Sequence, residues 1–414
     1  MYKLVVAGGG TASVNIVSQI IRAGKLKPNE IAVIDPSPKH YYQPAWSMIG
    51  GGVLGNNNEV KSKLKNYVRD TRSLFHPDIN FYSKSVTKFM PDLNKIQIEG
   101  NEEISYENLV VALGLVMDYD RLPGLKDALE DENSKVGTIY DLNYAMKTNR
   151  LISEFQGGKA FFTEPTQPIK CGGAPQKIMY LADGIWRDKN VRDKTNINFF
   201  LPMYSIFTSP YYAKLLIKIA EDKNVLVHYG HLLTKLNWKN NEAIFAHNKQ
   251  EIKLNYDFIH VTPFQSTPKA LKNSPVSDKD GLVDVDKGTL RHVKYENVWG
   301  IGDCSNLPTS KTASAAIDQA FVLVNNLIKT IEKQGLNAKY TGYTSCPLFV
   351  SHGKGILAEF KYEGIPDHTY TKLMDKPNRF AYFLNKFVMP KAYFWLMPKG
   401  RWYGRRLIFP PKFK

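Results

Sequence analysis

The segment "KLVVAGGGTASVNIVSQII", with "EIAVID" close behind it, constrains the fold more than any other part of this 414-residue chain. It reads as an apolar strand, a glycine turn, a helix and a second apolar strand, which together make a parallel βαβ unit covered on both faces. Gly8, Gly10 and the small Ser13 take the spacing G-x-G-x-x-G/A. Glycines there let the backbone approach a pyrophosphate, and the helix start turns free N–H groups toward it. Asp35 closes the second strand about 20 residues on, where a carboxylate binds ribose hydroxyls. The turn and its acid predict a bound dinucleotide. They do not separate FAD from NAD.

A second stretch makes that separation. "VWGIGDCSN", late in the chain, is an apolar strand ending in G-x-x-G-D, followed by the small-residue helix "TASAAIDQA". This layout resembles that of flavoproteins with two dinucleotide-binding domains. The resemblance directs Asp303 at the ribitol of FAD and the helix start at the flavin ring, where a positive end stabilises the reduced, anionic form. The bland alternative is that Asp303 only caps a helix.

Such flavoproteins carry a second glycine fingerprint in the middle domain when they use NAD(P)H. Here the corresponding strand–turn–helix is "KAFFTEPTQPIKCGGAPQKIMYL", a long turn with three prolines and a cysteine. A pyrophosphate cradle of that shape is disfavoured. Pro175 suits a first helical turn, so Cys171 lies beside a helix start, where positive potential favours the thiolate. Lys170 and Lys177 add to that potential. Three cysteines in the whole chain make no disulfide scaffold and point to a reducing compartment. Cys346, in "YTSCPL", is the second candidate thiol. Cys304 reads as a packed residue under the cofactor.

Taken together, "HYYQP", "KCGGAPQKIMYL", "GIGDCSNLPTSKTA" and "GYTSCPL" resemble the sulfide:quinone oxidoreductases, most closely the mitochondrial type, over nearly the whole chain. The resemblance implies FAD as cofactor, hydrogen sulfide and a quinone (ubiquinone or menaquinone) as substrates, and glutathione, sulfite or sulfide as sulfur acceptor. It matches Cys171 and Cys346 to a redox pair, Thr11 and Ala12 to the dinucleotide turn, and Asp35 to the adenosine ribose. Gln43 and Val86 match further FAD contacts, and Asp303, Ala313, Ser314, Ala315 and Ala316 the flavin side. A third catalytic cysteine of some bacterial members has no counterpart here. No metal site is expected. The competing readings are a type II NADH:quinone oxidoreductase-like enzyme, and a flavin persulfide carrier or sensor that does not turn over.

The expected fold class is α/β, with two Rossmann-like dinucleotide-binding domains in tandem plus a C-terminal membrane-associating region. Residues 1–120 and 286–335 are expected to form a discontinuous FAD domain, 121–285 a second Rossmann-like domain carrying Cys171, and 336–414 the tail with Cys346. Residues 56–80 read as a charged linker. In the tail, Phe380, Phe383, Leu384, Phe387 and Val388 make one apolar helical stripe, with Pro377 placed to start the helix and Pro390 to end it. From residue 380 onward there are 11 aromatics, 8 Lys or Arg and no acid. That composition suits the lipid interface, and the net charge of +16 agrees with an anionic surface. Nucleic acid is set aside because a flavin core has no use for it. No apolar run reaches the length of a membrane span, and the strand starting almost at Met1 leaves no room for a signal or transit peptide, so either none exists or the sequence begins after it. The expected location is peripheral: on the mitochondrial inner membrane in a eukaryote, on the cytoplasmic membrane in a bacterium.

Overall fold

The computed structural model describes residues 1–370 and 372–413. The first strand, Tyr2–Ala7, is the centre of a parallel sheet. It lies between Ile31–Ile34 and Glu102–Val111, with Asn80–Tyr82 beyond the former. Strand Val298–Gly300 returns from far along the chain to pair in parallel with Leu109–Val111. This brings the late G-x-x-G-D turn to the same sheet edge as the first glycine turn. The core positions Leu4, Val5, Val6, Ala7, Leu109, Val110, Val111 and Val298 are essentially inaccessible, as a sheet covered on both faces requires.

A second parallel sheet runs in the order Val136–Gly137, Phe258–His260, Gly158–Thr163, Thr195–Leu201, Val225–Tyr229. Between its third and fourth members in this order the chain forms the helix Ala174–Asp188, with Pro175 in its first turn. The overall class is mixed α/β with parallel sheets. A C-terminal hairpin, Thr344–Ser351 with Lys354–Phe360, packs against that helix.

Two expectations are corrected. Residues 56–80 are not a bare linker: Asn56 caps the helix Asn57–Lys63 through Asn58 and Glu59, and Val68–Asp70 pairs with Lys39–Tyr41. Pro390 does not end the tail helix either. After Arg379–Phe383 the chain widens into a π turn, Leu384–Val388, and then continues as Met389–Leu396 with Pro390 in the new first turn. A π turn absorbs the hydrogen bond that proline cannot donate, so the helix continues past the proline.

The helix that starts beside Cys171 is anchored at its other end by a buried ion cluster. Asp183, with a fully buried side chain, is held by Arg192 at 2.8 Å, Lys223 at 2.6 Å and Arg187 at 3.1 Å. Removing one member of such a set strands the others in low dielectric. Asp183→Ala is therefore expected to lower unfolding stability by about 3–5 kcal/mol, measured by urea denaturation followed by circular dichroism.

Candidate active site

The first glycine turn is built by close contact. Gly8 has φ +113°, and a Cβ on it would lie 2.4 Å from the Ala112 carbonyl, so only glycine fits. The Gly9 N–H donates to Asp35 Oδ2 at 2.5 Å and the Ser37 N–H to Asp35 Oδ1 at 2.7 Å. A Cβ on Gly9 would meet the Asp35 side chain at 2.9 Å. The middle glycine, which the motif leaves unspecified, is therefore what fixes the acid. The helix Thr11–Arg22 begins without any side-chain cap on its first N–H groups and without an acid in its first turn. Those donors stay available to an anion.

Gly9, Gly10, Thr11, Ala12, Asp35 and Gln43 all line one cavity of about 610 Å³. Asp303, Ala313, Ser314 and Ala316 line it from the second turn. Gly8 shapes the turn from behind it. Ala315 is buried beneath, its N–H held by the Thr312 hydroxyl that caps the helix Ala313–Ile331. Val86 is the exception. It sits in the core at the start of Val86–Met90, paired with Ile98, and does not border the cavity. Its side chain packs against the sheet, as an inward-facing position on an antiparallel hairpin does.

The cavity also reaches Cys171. This residue has φ +50°, a left-handed conformation that costs a non-glycine residue roughly 1–2 kcal/mol. It is held there by its own N–H donating to the Lys311 carbonyl at 2.7 Å and its carbonyl accepting from Ala174 at 2.7 Å. The strained loop aims the sulfur at Cys346: the two Sγ atoms are 3.7 Å apart across 175 residues of sequence. Lys177, one helical turn on and buried, donates from Nζ to Cys171 Sγ at 3.2 Å.

The hydrogen bond from Cys346 and the nearby Lys177 ammonium outweigh burial and lower the Cys171 thiol to about 5. Cys346 moves the other way, because it holds the shared proton in a buried site beside a thiolate. Cys304 is fully buried, its S–H directed at backbone carbonyls, and burial pushes it up to about 11. Gly173 is a residue the sequence did not single out. A Cβ there would lie 2.6 Å from both Cys346 Sγ and Leu348 Cδ2, so this glycine is what lets the second thiol approach.

The C-terminal hairpin divides its side chains by the two-residue period of a strand. Cys346 faces the helix start at Gly173. Ser345 and Pro347, with their cross-strand partners Glu359 and Leu357, face the other way into the cavity. There the wall is completed by Leu384, Val388, Met389 and Ala392 of the tail. The tail is also tied to the first glycine turn. The Tyr393 hydroxyl is 2.6 Å from both Thr11 Oγ1 and His40 Nε2, and His40 Nδ1 is 3.1 Å from the Gly9 carbonyl. Since that carbonyl can only accept, Nδ1 carries the proton and Tyr393 donates to Nε2. Burial lowers His40 to about 4 and keeps it neutral.

The chain is 40% identical to the mitochondrial sulfide:quinone oxidoreductase of Dictyostelium discoideum, over 99% of its own length and 88% of the relative's. It is 37% identical to that of Mus musculus, over 97% and 88%. The solved structure of the sulfide:quinone oxidoreductase from the hyperthermophilic bacterium Aquifex aeolicus superposes with a TM-score of 0.78 at 16% identity. That alignment covers 97% of this chain and 92% of the other, and it speaks for a shared fold. No family model matches the chain.

The lowered Cys171 thiol has a direct consequence. A group whose pKa is depressed stays ionised down to that pKa, so alkylation of Cys171 in the reduced protein should remain fast through neutral pH and decline only near pH 5. Replacing Lys177 by Met removes the cation and should move that midpoint upward. The pH dependence of iodoacetamide labelling, read by peptide mass, measures both.

Proposed function

This chain belongs to the family of mitochondrial sulfide:quinone oxidoreductases, and on that premise we propose how its own residues carry the reaction. It is an FAD-dependent oxidoreductase acting on sulfide and a quinone. The residues fit FAD: a turn that admits only glycine at Gly8, an uncapped helix start at Thr11, and Asp35 and Asp303 on one cavity. FAD, when bound, supplies reversible acceptance of an electron pair. Residues 1–120 with 286–335 are the unit that holds it, 121–285 the second Rossmann-like unit, and 336–414 the C-terminal region.

One observation carries the reading of the thiols: two sulfurs 3.7 Å apart, one bordering the dinucleotide cavity and one behind it. In the oxidised pair, hydrosulfide attacks Cys346 Sγ. A new S–S bond forms there, the Cys171–Cys346 bond breaks, and Cys171 leaves as thiolate. A leaving thiol with a low pKa departs faster, and Lys177 stabilises the charge it acquires. The Cys346 persulfide then gives its outer sulfur to a nucleophilic acceptor such as glutathione, sulfite or sulfide. Nicotinamide is disfavoured as reductant. The helix start where a second pyrophosphate would bind is filled by Cys346 and Leu348 packed on Gly173.

The quinone enters from the tail side, where Leu357, Leu384, Val388 and Met389 give the cavity an apolar wall. Phe380, Phe383, Phe387 and Trp395 lie between 46% and 63% exposed, with Lys386 and Lys399 over the rings of Phe387 and Trp395. Exposed aromatics interleaved with cations suit a peripheral site on an anionic lipid surface, here that of the inner mitochondrial membrane. No helix of the described residues is long and apolar enough to cross a membrane.

Cys171→Ser and Cys346→Ser are each expected to abolish sulfide-dependent quinone reduction while retaining FAD. Turnover at the wild-type rate in either variant would overturn the paired-thiol mechanism. For the tail, Phe383→Ser/Phe387→Ser should weaken binding to cardiolipin-containing vesicles by about tenfold or more in a flotation assay, with sulfide reduction of the flavin unchanged.

A further inference from the structure

The cavity wall opposite the thiol pair carries a buried acid with no role in thiol chemistry. Glu359 is 1% exposed. Its Oε1 accepts from the Tyr343 hydroxyl and the Thr369 hydroxyl, and its Oε2 accepts from the Thr369 N–H at 2.9 Å. The two hydroxyls are 3.3 Å from each other. Glu359, Tyr343 and Thr369 all border the cavity, and Thr369 is half-buried at the rim beside the exposed Tyr370.

A carboxylate that only stabilises a fold is normally locked by cations, as Asp183 is by three. Glu359 makes no ion pair among the described residues. Arg405, whose guanidinium lies over the Tyr343 ring at 4.4 Å, pairs with Asp367 at 3.0 Å. Hydroxyl partners, unlike cations, serve either charge state of an acid, because a hydroxyl both donates and accepts. Glu359 is thus buried beside an apolar chamber, with hydroxyl partners that can both donate to and accept from its carboxyl group.

We propose that Glu359 is the proton donor for quinone reduction, resupplied from water at the rim through the Thr369 hydroxyl. This rests on the reading that the quinone occupies the chamber walled by Leu357, Leu384, Val388 and Met389. Reduction to the quinol takes two electrons, which the flavin supplies in the established reaction, and two protons. For each proton, the Glu359 O–H breaks as a quinone O–H forms. The carboxylate then regains a proton from Thr369, which takes one from water. Tyr343 is a positioning residue: its hydroxyl orients the carboxyl, and burial holds it well above its ordinary titration range, so it gives up no proton itself. Placing Glu359 across the hairpin from Cys346 separates proton uptake from the face where sulfide loses its protons.

The test is stopped-flow reoxidation of the sulfide-reduced holoenzyme by a short-chain ubiquinone and, separately, by ferricyanide, which takes electrons without protons. Glu359→Gln should leave flavin reduction by sulfide unchanged and slow reoxidation by quinone at least ~100-fold. Quinone KM and reoxidation by ferricyanide should not change. Thr369→Val, which keeps the shape and removes the hydroxyl, should slow the quinone step in the same way and serves where the Gln variant folds poorly. Wild-type quinone rates in either folded variant overturn the proposal. So does an equal slowing with both acceptors, which marks a structural defect. If the wild-type enzyme itself passes no electrons to quinone, or a bulky Leu357→Trp leaves quinone KM unmoved, the quinone chamber is wrong and the proposal falls with it.

Discussion

The approach of Cys171 to Cys346 depends on a strained backbone and a missing side chain, and the rest of the active site is arranged around it. Residues 175 apart in sequence meet only if the loop before the helix Ala174–Asp188 turns left-handed at Cys171 and presents no Cβ at Gly173. The loop is held by a backbone hydrogen bond to Lys311, which precedes the helix Ala313–Ile331. The same bond ties the thiol to the second dinucleotide turn. One peptide N–H thus fixes the sulfur on the wall of the cavity that the second turn also lines.

Electrostatics then distinguishes two chemically identical thiols. Both are buried, and burial alone raises both. Lys177 and the donated S–H of Cys346 reverse this for Cys171 only. The asymmetry is useful because disulfide exchange needs a good leaving group on one sulfur and an attackable partner on the other. A symmetrical pair would leave an attacking nucleophile no preference.

The sequence revealed the dinucleotide turns and the thiol helix because each rests on local rules: glycine where the backbone must pass close, proline in a first helical turn, an apolar strand before both. Its failures have equally physical causes. Gly173 and Gly9 matter through contacts with Cys346 and Asp35, and no local pattern reports a contact across 175 residues. The Val86 side chain packs in the core, a contact that no local motif reports. Pro390 was read as a stop because proline usually ends a helix, whereas a π turn upstream accommodates it. Glu359 lay in an apolar strand with no motif around it. Only the strand register, which sets it opposite Ser345 and away from Cys346, gives it a place.

The tail joins an exposed aromatic surface to the first glycine turn. Tyr393 is buried and bonded to Thr11 and His40, while Trp395, two residues on, is 63% exposed. One short helix thus presents a polar anchor inward and an aromatic outward, as its 3.6-residue period permits. Gly400 continues the docking, because a Cβ there would meet the Ser18 carbonyl at 2.4 Å. The exposed outer face and the wall of the cavity therefore belong to one short helix. The apolar side chains of the tail are thereby packed directly onto the wall of the cavity that the two glycine turns border.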